Sequence, residues 1–159
     1  MVRLMTNEEI RQLKYLLESA VSAAYAEPNL VERNDEKDKE GYEQTFAFRV
    51  GIHLHELLKR TEYSRLNLDC EYNKHGDDPK KTNGKGIRPD LLIHSRGNDD
   101  ENILAVEFAG WWQCAKKFEK DKEKLEGLTQ NNGDYRYSLG ALVKIEKDNP
   151  TYTYFQNGN

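Results

Sequence analysis

The sequence predicts a mixed-sheet α/β domain with helices on the sheet faces, in the order α-α-β-β-β-α-β-β. Three observations carry that expectation. Two stretches of helical apolar period come first. Short alternating or apolar runs separated by polar turns follow. A charged helical stretch then precedes two further strand-like runs.

Taken in order, Thr6 followed by Glu9 is a capping-box pattern. It opens a run with apolar residues at 10, 13, 16, 17, 20, 21 and 24, an amphipathic helix that must stop before Pro28. Residues 31–41 form a charged connector closing at Gly41. A second helix is predicted from Tyr42 to about Arg60, with Phe46, Ala47, Val50, Leu54, Leu57 and Leu58 on one face. Leu66, Leu68, Cys70 and Tyr72 alternate with polar residues and predict a strand. The segment 73–86 (NKHGDDPKKTNGKG) reads as a loop. IRPDLLIHS and NILAVEF are two strand-like runs separated by RGNDDE, most simply a hairpin. A third helix is predicted from Lys116 to about Leu128, then strands over 135–145 (YRYSLGALVKI) and 151–155 (TYTYF). The 159 residues read as one domain, with an N-terminal helix and connector (1–41), a core (42–145) and a C-terminal strand and tail (146–159).

Composition narrows the function. With 36% hydrophobic and 33% charged residues the chain reads as a soluble globular protein, and no apolar run approaches the ~18 residues a membrane span needs. The start, MVRLMTNEEI, lacks the layout of a secretion signal. Cys70 and Cys114 suggest neither a disulfide framework nor a zinc site. The expected setting is therefore the reducing cytoplasm. A net charge of −4 argues mildly against nonspecific nucleic-acid binding, but bases cluster in 74–88 and 116–124, which permits a basic face.

Two acids stand out. Asp90, after Pro89, opens the second predicted strand, and Glu107 closes the third. In a hairpin the start of one strand lies beside the end of the other, so the two carboxylates become neighbours at one edge of the sheet. Adjacent carboxylates repel unless a cation lies between them, and a hard divalent ion prefers oxygen ligands. Such an ion acidifies water and stabilises a phosphodiester under attack. The pattern thus points to a phosphoryl-transfer site using Mg²⁺ or Mn²⁺.

The string RPDLLIH…ILAVEFA resembles the core motif of the PD-(D/E)XK nuclease superfamily: Pro-Asp, a gap, then Asp/Glu-x-Lys. The resemblance covers roughly residues 42–145, and DCEYNKHGDDPKK is similar to the segment before the motif in a group of small members. It implies a restriction-endonuclease-like core and metal-dependent hydrolysis of phosphodiester bonds in DNA, with RNA as a lesser candidate. It also implies a nucleic-acid partner and is compatible with a homodimer or a subunit of a larger complex. Asp90 and Glu107 would hold the metal, with the Phe108 backbone carbonyl as a further ligand. Glu43, which family members supply from the helix before the sheet, also lies on the apolar stripe of its helix.

The family lysine falls at position 109, where this chain has Ala109. Three explanations compete: deliberate silencing of a toxic nuclease, a natural noncatalytic member, or a lysine relocated to the following helix (Lys116, Lys117 or Lys124). The otherwise complete motif favours silencing, so the chain is expected to bind metal and substrate but cleave poorly. The alternative is a degenerate nuclease-fold module for nucleic-acid or protein binding.

Plainer readings stand beside these. Asp90 and Glu107 alone could be a surface acid and an ion-pair partner, and Glu43 could simply favour a helix start. Glu71, near the end of the first strand, is a candidate to join the site, but reads first as a solvated strand residue or a partner for Lys74. His53 and His55 are two apart on a helix and cannot chelate together. His75 and His94 read as ordinary loop and strand residues, with a phosphate contact as the alternative for His75. Trp111-Trp112 read as a plug at a strand end, with a base-stacking platform as the alternative because they follow the site directly. Lys74, Lys80, Lys81, Lys85 and Arg88 lead into Asp90 and are candidates to grip phosphate. The alternating signs of 116–124 suggest a solvated helix face. Lys124 is the exception that the resemblance implies, since family members often point a residue of this helix toward the scissile phosphate.

Overall fold

A computed structural model describes residues 3–31, 42–73, 80–82 and 85–159. Helix α1 (Asn7–Tyr25) starts as its sequence requires. The Thr6 hydroxyl accepts the Glu9 backbone N–H at 3.2 Å, and the Glu9 carboxylate accepts the Thr6 N–H at 2.7 Å. Its apolar stripe, from Ile10 to Ala24, is buried against α2 (Tyr42–Leu58). There Phe46, Val50 and Leu54 are fully covered. Gly51 lets α2 lie close on the sheet, since a Cβ there would sit 3.3 Å from the Leu91 side chain.

The strands are β1 (Asn67–Cys70), β2 (Lys81–Thr82), β3 (Lys85–Gly86), β4 (Leu91–His94), β5 (Leu104–Gly110), β6 (Leu139–Ile145) and β7 (Thr151–Phe155). Helix α3 (Ala115–Thr129) joins β5 to β6. Five strands form a mixed sheet in the order β1-β4-β5-β6-β7. The β5–β6 pair is parallel, as a helical crossover demands, and the other neighbours are antiparallel. All seven residues of β5 are buried, which explains why its run is apolar apart from Glu107.

The mixed α/β expectation holds at this level, but the element order differs. The segment read as a loop contains the small β2–β3 ribbon, with Lys81 paired to Gly86. The hydroxyl of Tyr135 anchors it, donating to the Lys81 carbonyl at 2.7 Å and accepting the Lys81 N–H. The first strand stops at Cys70 because Glu71 turns left-handed, at φ 48°. The strand expected from 135 begins only at Leu139. Arg136 is left-handed at φ 50°, and the Tyr137 N–H goes to the Leu128 carbonyl at the end of α3 instead of to the sheet.

Candidate active site

The β4–β5 hairpin places the two acids together. Register pairs Leu91 with Val106, so Asp90, one residue earlier, extends opposite Glu107. The site therefore lies where β4 begins, between central strands, and not at a lateral edge of the sheet; β5 continues past Glu107 to Gly110. Asp90 Oδ2 accepts the Phe108 backbone N–H at 2.7 Å, taking the place a β4 residue would fill if that strand ran further back. This bond locks one carboxylate oxygen and leaves the other for a ligand.

Glu107 points to the α3 side of the sheet and is only 1% exposed. Lys124 Nζ donates to its Oε1 at 2.9 Å. Lys117, two turns earlier on α3, bonds Asp121 at 2.6 Å and lies 3.9 Å from Glu43. Asp121 is 2% exposed and also lies 3.9 Å from Lys124. Gln113 ties the last element in: its amide donates to Glu43 at 2.5 Å while its oxygen accepts the Gly110 N–H at 3.2 Å.

Four carboxylates thus face two ammonium groups, an excess of two negative charges if all are ionised. The electrostatics show the cost. Burial, reinforced by the Asp90 charge, pushes the Glu107 carboxyl well above the usual range. Burial raises Asp90 as well, opposed by the Phe108 N–H and the lysines. Glu43 is pushed up to about 7, mainly by burial, with Lys117 opposing and Asp90 adding to the shift. Acids held above their ordinary range by burial and by one another's charge would be relieved by a cation.

Among the described residues, no group of three or more His, Cys, Asp or Glu is arranged to cage a metal ion. The donors that converge, two carboxylates with Lys124 against one of them, still suit a hard ion that keeps several waters and binds through one or two carboxylates plus substrate oxygens.

The other expected residues divide. Ala109 is fully buried in the apolar layer that α3 covers with Leu125 and Leu128. Lys81 and Arg88 are exposed. Lys80 is not available to grip phosphate: it is 1% exposed, its ammonium 4.9 Å from the Tyr72 ring centroid. Lys74 and His75 lie outside the described residues, as does the side chain of Lys85, whose backbone belongs to β3. The solvated-face reading of α3 fails for Lys117 and Asp121, which turn inward, whereas Lys116 and Glu119 remain exposed. Asp121 went unread, although it stands four residues before the buried Leu125 and hence on the apolar stripe of α3, the same kind of placement that drew attention to Glu43 on α2. Trp112 lies over Gly110, where a Cβ would come within 2.3 Å of its ring, and meets Tyr42 edge-on, as a strand-end plug would.

His94, read as ordinary, is buried with Asp69, Nε2 to Oδ2 at 2.8 Å, and Arg96 closes on the same carboxylate. His53 reaches Glu27 at 2.8 Å, beside Arg49.

No helix among the described residues is long and apolar enough to cross a membrane. No family model matches the chain, and no curated protein matches it. Among solved structures it is similar to SSO0001, at 15% identity over 91% of this chain and 77% of that one. The TM-score of 0.36 is too low to bear on the fold or the site.

Proposed function

We propose that the chain is a metal-dependent nuclease of the PD-(D/E)XK kind, hydrolysing phosphodiester bonds in DNA or, with less support, RNA. The observation that carries this reading is the placement of Asp90 opposite Glu107 where β4 begins, with the Glu43 and Asp121 charges near enough to act on them, a negative excess that a divalent ion would offset. Asp90 and Glu107 are the proposed ligands. The Phe108 carbonyl, on the same side of β5 as the N–H that holds Asp90, is a further one. A bound Mg²⁺ or Mn²⁺ supplies an acidified water and neutralises charge on the phosphate.

The remaining roles fall to the chain itself. Lys124 Nζ, at 2.9 Å from Glu107, takes the part of the missing motif lysine: it orients the attacking water and steadies charge on the phosphate oxygens. Asp121 holds Lys117 in place by its 2.6 Å bond, and Gln113 holds Glu43. This geometry supports relocation of the lysine over deliberate silencing, because Ala109 fills a packed apolar layer and a lysine from α3 already reaches the acid.

The experiment is incubation of the chain with linear and circular DNA and with RNA, in Mg²⁺ and Mn²⁺, alongside Lys124→Ala and Ala109→Lys. Cleavage by the parent that Lys124→Ala lowers by about 100-fold or more supports the relocated lysine. Cleavage only by Ala109→Lys restores the silenced-site reading. Failure of all three chains to cut any substrate overturns the nuclease assignment.

A further inference from the structure

On the other side of Asp90 from α3 lies a cleft of about 270 Å³, lined by Gln44, Ala47, Phe48, Cys70, Glu71 and Asp90. Its wall is mostly apolar. Gln44 and Phe48 stand four apart on α2 and so share a face, with Ala47 as the small residue beside them. Phe48 is 57% exposed, one of few large apolar side chains left open to water among the described residues. Cys70 and Glu71 come from the end of β1.

Glu71 is held in a conformation that costs energy. Its φ of 48° lies in the left-handed region, disfavoured for a residue with a Cβ, and its N–H is fixed to the Asp90 carbonyl at 3.3 Å. Among the described residues no ion pair or side-chain hydrogen bond engages its carboxylate. A strained acid and an exposed aromatic ring therefore flank one slot that opens onto a proposed metal ligand.

The chemistry of that slot selects its occupant. The Glu71 carboxylate repels a phosphate, so the backbone of a nucleic acid is not what enters beside it. A flat heteroaromatic ring gains from the face of Phe48, and a carboxylate, which only accepts, asks for N–H donors. Guanine offers two adjacent donors on its pairing edge. Adenine and cytosine each set an acceptor nitrogen beside their amino group, and thymine or uracil flanks its single N–H with carbonyls.

We propose that this cleft is a nucleobase subsite. It takes one unpaired base, guanine by preference, from the nucleotide adjoining the phosphate at Asp90. The base lies against Phe48 with its N–H edge on the Glu71 carboxylate. The proposal rests on the nuclease reading and adds a substrate preference to it: an unpaired or splayed base next to the cut, as single strands and loops provide.

The test is fluorescence anisotropy with labelled phosphorothioate single strands in Mg²⁺, comparing an all-thymine strand with one carrying a central guanine. The parent is expected to prefer the guanine strand. Phe48→Ala, a surface change that spares the core, should weaken binding of both by about 5- to 100-fold. Glu71→Gln should erase the guanine preference, the guanine strand then binding no more tightly than the thymine strand. Glu71→Gly should erase the preference too while raising the melting temperature, because glycine relieves the left-handed strain. A parent that binds both strands, with Phe48→Ala binding as tightly, or a guanine preference that survives Glu71→Gln, overturns the subsite alone. A parent that binds neither strand overturns the nuclease reading and the subsite together.

Discussion

Toward α1 and α2 the sheet presents Leu91, Ile93, Leu104, Val106, Phe108, Ala141 and Val143, which merge with both helices into one apolar cluster. Toward α3 the same strands present Leu92, His94, Ala105, Glu107, Ala109 and Leu142. The alternation of a strand makes both faces from adjacent letters of the sequence. On the first face large side chains interlock; Phe46 meets Phe108 and Tyr25 edge-on, with ring centroids 5.7 and 5.5 Å apart. On the second, small residues under α3 leave room for buried charge, and Lys124, Asp121 and Lys117 enter it. One face supplies the stability that lets the other hold an unfavourable cluster of acids. The difference teaches that most of the apolar packing and most of the buried charge of this chain lie on opposite sides of the sheet, with Glu43 reaching the charged cluster from α2.

The comparison is tested first by its largest effect. Phe46→Ala should cost about 3–5 kcal/mol in denaturant unfolding, through lost transfer energy and the cavity left behind. That loss should be the same at acid and neutral pH and with or without Mn²⁺. A loss that divalent cation reverses would show the two faces to be coupled.

Next comes the pH dependence of the charged face. The Glu43 carboxyl is raised from the ordinary glutamate value to about 7 in the folded chain. The folded state therefore holds a proton that the unfolded state has released, so the stabilising contribution is full below the ordinary value and disappears as pH rises through about 7. Glu43→Gln should gain on the parent between about pH 5 and about pH 8, reaching on the order of 3 kcal/mol at the upper end. His94, pushed down by burial, slopes the opposite way, but it is common to both chains and cancels in the difference. Equal pH profiles for the two chains would remove Glu43 from the cluster.

How much of this was legible follows from the same two faces. The apolar stripes of α1 and α2 and the hairpin that brings Asp90 to Glu107 could be read because periodicity and turn residues state them locally. Lys124 could be singled out, and Asp121 could have been, from its place four residues before Leu125. Other features depend on distant partners. Nothing near Lys80 in the chain announces that Tyr72 and Tyr135 enclose it, and the reach of Tyr135 to the β2–β3 ribbon spans 54 residues. The stop of β1 at Glu71 and the late start of β6 after Arg136 rest on left-handed residues that are not glycine, so the usual letter was missing.

The smallest expected effect is a control far from the site. Thr6→Ala removes the cap of α1 and should cost about 1 kcal/mol by thermal or denaturant unfolding, leaving the pH profile and any cation response as in the parent.

The central claim is tested most directly by calorimetric titration of Mn²⁺ into the parent, Asp90→Asn and Glu107→Gln near neutral pH, in buffers of different ionisation enthalpy. The account predicts binding by the parent with release of protons from the raised carboxyls, and loss of that binding in both variants. A parent that takes up no Mn²⁺, or variants that bind it as tightly as the parent, would contradict the account.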